Sequence, residues 1–428
     1  MPRFSRRLSI ALASAFTAAP LYGLVSADRA TAAEAEAAAV AKVDYPLSIQ
    51  GPKPTPVTPP TNEELDSSIE RGVDFLVESQ RASGAWGGPQ KTKGLNIYAP
   101  GMASHLAFRT GTTALAVMAL CEAREMFKGE RRDRVEAAID RGQAWLLEHS
   151  DELVRAEPDQ YVSQMGIALY SIWGHAYAIH ALLPLHERAA GDEELQGRLK
   201  KLLEYHVGRL KTSEFINGGW SYYDEGAKTL TPSGSPFSFS TATVLIALKE
   251  AEKLGVDYPE PLAKKAVASI LRQRYPDFSY AYGEYLKHRP RYDINRPAGS
   301  LGRSQVCNLA LRMYGDKHVT DEVLKTWLNR LFARNGWLSI GRKRPIPHDS
   351  DFGVAGYFYY YGHFYAALCI EELPEDERRY FFNHLARILL PLQEKDGSWW
   401  DYPLYDYHQG WGTAMATSAL VRARQDRE

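Results

Sequence analysis

Arg71 to Trp86 reads RGVDFLVESQRASGAW. Its Phe75-Leu76 pair belongs to an apolar stripe on a helix with a charged face, so the segment reads as an amphipathic helix that turns its back to water. Gly84 permits a tight turn after that helix. The Gln80 amide is placed to tie off backbone groups left free at the helix end. Trp86 is a flat apolar plate that packs over the joint. The pattern returns near the end of the chain in LLPLQEKDGSWW, with Gln393, Gly397 and Trp399. NGGW (Asn217–Trp220) and NGW (Asn335–Trp337) read as worn copies, a second unit keeps Arg141-Gly142 and Trp145-Leu146, and a fourth keeps only YPDFSYAYG. These turn residues are structural, because buried amide and indole groups serve hydrogen-bond satisfaction and packing.

Between the turns lie helices rich in Ala, Gly, Ser and Thr. They are TGTTALAVMAL from Thr110, YSIWGHAYAIHALL from Tyr170, FSFSTATVLIAL from Phe237, GSLGRSQVCNLAL from Gly299, AGYFYYYGHFYAAL from Ala355 and HQGWGTAMATSAL from His408. Successive starts are 60, 67, 62, 56 and 53 residues apart, which is a repeat period. Small residues on several faces suit helices crowded around an axis. SSIERGVDFLVES and VEAAIDRGQAWLLEH carry one apolar stripe and suit an outer layer. Alternating inner and outer helices predict an all-α fold over residues 62–428, an (α/α)6 toroid of about six helical hairpins. A closed ring needs no polar end caps.

The remainder of the chain bounds the function. Of 428 residues, 45% are hydrophobic and 24% charged, at a net charge of -1. There is no basic excess to suggest a nucleic-acid partner. Aromatics reach 11%, a content found at hydrophobic-ligand surfaces and in large helical cores alike. Residues 1–32 read as an export signal: Arg3, Arg6 and Arg7, then an apolar Ala-rich run, then small residues at cleavage spacing around Ala27 and Ala32. The expected location is therefore periplasmic or extracellular, and nothing later is apolar for long enough to span a bilayer. Residues 33–61 pass from an Ala/Glu stretch to GPKPTPVTPP, a linker or a strap lying on the domain. Thr61 or Asn62 is placed to cap the first helix. Cys121, Cys307 and Cys369 are too few and too scattered for a disulfide framework.

The Arg71–Trp86 stretch resembles the QW motif of triterpene cyclases. Through Arg71, Gly72, Phe75, Leu76, Gln80, Gly84 and Trp86, residues 62–425 resemble the squalene cyclase and protein prenyltransferase repeat. That resemblance implies a hydrophobic ligand, of isoprenoid type, in a central cavity. The cyclases place Asp-x-Asp-Asp before Thr-Ala on an inner helix. Before Thr113-Ala114, Thr241-Ala242 and Thr413-Ala414 this chain carries no carboxylate. The prenyltransferases hold zinc with Asp-x-Cys on one inner helix and His on the next. Here the counterparts are Gln305, Cys307 and His363, so the zinc Asp is missing. No cofactor is predicted; Cys307 and His363 are a weak zinc pair. Arg303 is placed to face an anionic ligand. The Cys-Gly-Glu-Gln site of complement-type thioester domains is absent.

Candidate cavity-lining residues stand at the starts of the inner helices. The first two units offer His105, Arg109, Trp173 and His175, and the third and fourth Phe237, Arg303, Gln305 and Cys307. The fifth offers Tyr359, Tyr360 and His363, and the sixth Asp406, His408 and Trp411. The leading expectation is a hydrophobic small-molecule cavity with an aromatic lining from the fourth to sixth units. Two alternatives stand beside it. One is a non-catalytic scaffold that binds another exported protein. The other is a carbohydrate-active lyase or hydrolase, which needs two carboxylates, or a Tyr/His/Arg set, converging in a groove. Whether Arg109, Arg303, His363 and Asp406 converge on one cavity discriminates among them.

Overall fold

The computed structural model describes residues 44–94, 102–153, 170–222 and 234–428. The expected export signal and the Ala/Glu stretch lie outside the described residues. Twelve helices build a ring among those described. The outer set is α1 (Asn62–Ser79), α3 (Gly129–His149), α5 (Glu193–Ser213), α7 (Glu260–Gln273), α9 (Asp321–Ala333) and α11 (Glu375–Leu389). The inner set is α2 (Met102–Ala123), α4 (Ser171–Arg188), α6 (Ser238–Lys253), α8 (Leu301–Met313), α10 (Phe358–Glu371) and α12 (His408–Gln425). Each inner helix packs on the next, and α12 packs on α2, so the ring closes. Two isolated antiparallel bridges, Phe237 with Gly283 and Arg274 with Tyr280, are the β pairings among the described residues. The protein is an all-α toroid.

The two layers follow from side-chain placement. In α1 the buried apolar residues Leu65, Ile69, Val73 and Leu76 form one stripe, while Glu63 and Glu64 stand in the first turn. Thr61 caps that helix: its hydroxyl accepts from Glu64 N at 3.1 Å and its N–H donates to Glu64 Oε2 at 2.8 Å. By contrast α6 is buried on every face from Ser238 to Leu248. Its small residues let neighbouring backbones approach.

The quoted stretch proves to serve two hairpins at once. Gln80 Nε2 donates to Gly84 O at 2.8 Å and to Ala138 O on α3 at 2.9 Å, and its carbonyl accepts from Arg141 Nε at 3.0 Å. Trp86 Nε1 donates to Leu76 O at 2.7 Å, and Trp86 N to Thr113 Oγ1 at 3.0 Å. The last unit repeats this across the ring closure. Gln393 Nε2 donates to Gly397 O and Ser68 O, both at 2.9 Å, and its carbonyl accepts from Arg71. Trp399 N donates to Thr413 Oγ1 at 3.0 Å. A Cβ on Gly142 would stand 3.0 Å from Trp86, and one on Gly72 2.9 Å from Trp399. The Arg-Gly pair of each of these two hairpins therefore receives the Gln and Trp of the hairpin before it. That is why the second unit keeps Arg141-Gly142: the first unit needs them.

The worn copies diverge in distinct ways. At Asn217–Trp220 the geometry holds: Trp220 N donates to Thr241 Oγ1 at 3.0 Å and Gly218 has φ +91°. In the Gln position stands Glu214, paired with Lys265 of the next hairpin at 2.6 Å. In the fourth unit Tyr280 takes the place of Trp, its N donating to Ser300 Oγ at 3.1 Å, and Phe278 accepts the positive φ of 63°. The reading of Asn335–Trp337 as a turn copy is corrected. These residues begin a short helix, Asn335–Ser339, and Trp337 is half-exposed against Arg334 and Phe352. The chain from Tyr45 to Thr61 runs over the outer helices. Arg330 donates to Leu47 O at 3.0 Å, Arg387 to Thr58 O at 2.7 Å and Arg427 to Pro60 O at 2.7 Å. A Pro-rich segment offers carbonyls but few N–H groups, so arginines are the fitting partners.

Candidate functional site: an aromatic cavity at one mouth of the ring

All six inner helices run in the same sense, so their N-termini gather at one mouth. A cavity opens there. Helix α2 lines it with Phe108, Gly111, Thr112 and Leu115, and α4 with Trp173 and Tyr177. Tyr357 and Tyr361 come from the fifth hairpin, and Tyr402, Leu404, Trp411 and Met415 from the sixth. Among the described residues, none that lines it carries a charge. The expected contribution of the fourth unit is corrected: α8 supplies no lining residue, because its first turn is locked into neighbouring joints. A Cβ on Gly302 would stand 2.7 Å from Phe358 O.

The lining is braced from behind. Trp173 and Tyr361 stack in parallel, ring centres 5.8 Å apart. The Tyr361 hydroxyl shares a 2.9 Å hydrogen bond with Thr243 Oγ1 and donates to Phe239 O at 3.2 Å. Trp411 Nε1 donates to Asp401 Oδ1 at 3.4 Å, and Asp401 Oδ2 accepts from Tyr360 N at 3.0 Å. Asp401 thus caps the first turn of α10 from the next hairpin while holding Trp411. This explains why α10 starts at Phe358 and not at Ala355. Asp401 is fully buried, and desolvation pushes its carboxyl up to about 7.

Glycine placement carries information about this space. Gly174, Gly302, Gly362, Gly410 and Gly412 lie inside inner helices, and a Cβ on any of them would meet an atom at 2.9 Å or less. Packing accounts for them. Gly111 differs: its Cβ would meet only Tyr177, at 3.7 Å. A mid-helix glycine costs about 1 kcal/mol relative to alanine. Here no packing contact requires it, and its open side faces the cavity.

The residues singled out in the sequence do not all converge. Trp173 and Trp411 line the cavity. His105 is buried at the rim, its Nδ1 3.1 Å from the Tyr407 hydroxyl and its ring edge-on to Tyr405. Burial and then the Arg109 charge lower its pKa. Asp406 pairs with Arg81 at 2.7 Å, half-exposed. His408 Nδ1 meets Tyr405 O at 2.6 Å, and burial lowers its pKa to about 4. His175 lies within the wall, 2.9 Å from His206 Nδ1, which is 3.2 Å through its other nitrogen from Ser150. Phe237 stacks on Phe239 with ring centres 5.9 Å apart.

The anion-facing role for Arg303 is corrected. Its guanidinium is fully buried and donates to the carbonyls of Tyr280, Gly299 and Ile294, so it ties backbone together. Gln305 Nε2 donates to Trp327 O at 3.1 Å. Burial holds the Cys307 thiol up at about 12, protonated at neutral pH. His363 has both nitrogens engaged, Nδ1 with Tyr359 O at 2.6 Å and Nε2 with Asn335 Nδ2 at 2.8 Å. No group of three or more His, Cys, Asp or Glu suited to a metal occurs among the described residues. Tyr359 donates to Asn335 Oδ1 at 2.8 Å, and Tyr360 packs beside it. Sequence reasoning passed over Phe108, Gly111, Tyr177, Tyr402 and Leu404. The available signal was the glycine inside an otherwise strong helical run.

No protein-family model matches the chain, and no curated protein matches it. Solved structures do. The alpha-1,6-mannanase GH76A from Salegentibacter sp. HEL1_6 is 12% identical, spans 85% of this chain and 100% of its own, and has a TM-score of 0.51. The type II terpene cyclase MstE from Scytonema, in its apo form, is 15% identical over 86% of this chain and 100% of its own, at a TM-score of 0.46. A D-mannose isomerase is 11% identical over 86% and 100%, at 0.49. The fold is an α/α toroid. At such identities the likeness concerns the fold alone. No described helix is long and apolar enough to cross a membrane.

Proposed function

We propose that this is an exported, terpene-cyclase/prenyltransferase-like toroid that binds a hydrophobic, isoprenoid-type molecule in the aromatic cavity. The observation that carries the reading is Gly111, an unfilled helical position facing an uncharged wall of aromatic rings. Apolar burial drives such binding, and ring faces suit branched, unsaturated chains. The Gln-to-Trp turns and their likeness to the cyclase repeat support the same ligand class. Export rests on the basic, apolar and small-residue succession of residues 1–32. Arg303 and His363 are held away from the cavity by their own partners, His105, Arg109, Tyr407 and Asp406 meet at its rim, and no carboxylate lines it among the described residues.

Titrating the mature chain with geranylgeraniol, read by tryptophan fluorescence through Trp173 and Trp411, gives saturable one-to-one binding on this reading. Gly111→Leu weakens the affinity at least about ten-fold. A linear, unsaturable response, or unchanged affinity in Gly111→Leu, defeats the proposal.

A further inference from the structure

The opposite mouth of the ring has the reverse character. The C-terminal ends of the inner helices gather there around a second cavity. Helix C-termini present partial negative charge. Five carboxylates face this space: Glu122, Glu187, Glu250, Glu371 and Glu372. Two cations stand against them. Arg422 is held by Glu122 at 2.5 Å and Glu371 at 2.7 Å, and Lys253 lies at the edge. Glu187 and Glu372 are exposed and make no ion pair among the described residues. The walls between the charges are apolar, from Leu183, Ile246, Leu309, Phe364 and Leu368.

A second observation points to a hydrogen-bond donor. His180 lines this cavity with its side chain only 2% exposed. Its Nδ1 lies 2.5 Å from Glu250 Oε2. A carboxylate accepts, so Nδ1 donates to Glu250, and in the neutral ring Nε2 is then the acceptor. That Nε2 is buried and has no hydrogen-bond partner. An unmet buried acceptor is costly, and here it lies beside an excess of negative charge.

We propose that this mouth binds an organic ammonium group on an apolar stem, donating to His180 Nε2 and balanced by Glu187, Glu250 and Glu372. A bare metal ion does not fit, because no three ligating side chains are grouped for one among the described residues. Methylene stems suit the leucine and isoleucine walls. A free polyamine and a lysine-bearing peptide share this chemistry. The site is separate from the aromatic cavity, so either proposal can fail alone.

Isothermal titration of the mature chain uses three probes: spermine, a short Lys-Leu-Lys-Leu-Lys peptide and magnesium ion. We expect saturable binding of spermine or the peptide at one per chain, weakening as salt rises. The tighter of the two names the source. Glu187→Gln with Glu372→Gln lowers that affinity about ten-fold, as two lost exposed pairings would. The control pair Glu193→Gln with Glu194→Gln, exposed on α5, leaves it unchanged. Circular dichroism confirms that both variants stay folded. No saturable heat with either organic cation, magnesium binding as tightly as spermine, or equal loss in the control pair would each overturn the proposal.

Discussion

Replacing Gly111 with leucine separates stability from ligand binding in one step. The position is inside α2, with no neighbour nearer than 3.7 Å to a new Cβ. Removing a mid-helix glycine contributes about 1 kcal/mol through helix propensity. A leucine buried against Tyr177, Leu115 and Met415 adds about 1 kcal/mol more, well below full transfer because the cavity is open at its mouth. The variant is therefore expected to be about 2 kcal/mol more stable than wild type in urea unfolding, at unchanged denaturant slope. The same side chain fills the space an apolar ligand would take, so geranylgeraniol affinity falls at least about ten-fold, the equivalent of two lost methylene burials. Gly111→Ala calibrates the effect: about 1 kcal/mol of added stability with little change in binding. A leucine variant that is destabilised would show that the position is packed. One that is stabilised and binds as wild type would show that the cavity is not the site.

Other outcomes follow from the same contacts. Gly84→Ala forces a Cβ to 2.3 Å from Arg141 O at φ +91°, and is expected to cost about 3 kcal/mol, read as a lowered urea midpoint; a loss under 1 kcal/mol would mean that the turn relaxes freely. Asp401 has its pKa raised to about 7 by burial, so the folded state favours the protonated form. Stability is then full below pH 4 and is lost as pH rises to about 7, by up to about 4 kcal/mol. Asp401→Asn removes this component, so the stability of wild type relative to the variant should fall between pH 4 and 8; a pH-independent difference refutes it. Arg303→Met strands three backbone carbonyls and is expected to cost at least about 3 kcal/mol in thermal or urea unfolding; near-neutral behaviour would return Arg303 to the list of ligand-facing groups.

Much of the ring was legible from composition and spacing. The small-residue helices had to be inner ones, because only short side chains allow backbones to crowd about an axis. The striped helices had to be outer ones. Gln80, Gly84 and Trp86 were legible as a joint because each has a single local use. Their partners were not. Arg141 and Gly142 lie some sixty residues on, and nothing in the spacing states that they serve the preceding hairpin. Trp337 misled for the complementary reason: Asn-Gly-Trp has the turn's letters, yet continuing the backbone as a short helix satisfied it locally.

The site was less legible. Arg303, His363 and Cys307 have side chains capable of chemistry, and their partners decide whether they perform any. Arg303 meets three carbonyls and His363 meets a carbonyl and an amide, so both are structural. Asp401 was one loop carboxylate among several until the fold buried it against Tyr360 and Trp411. The sequence by itself determined a helical period, two kinds of helix and their alternation, since these depend on residues near in the chain. Tertiary structure decided which mouth is aromatic and which is acidic, and that Gly111 faces open space. Those properties belong to surfaces assembled from six hairpins, and no single stretch of chain contains them.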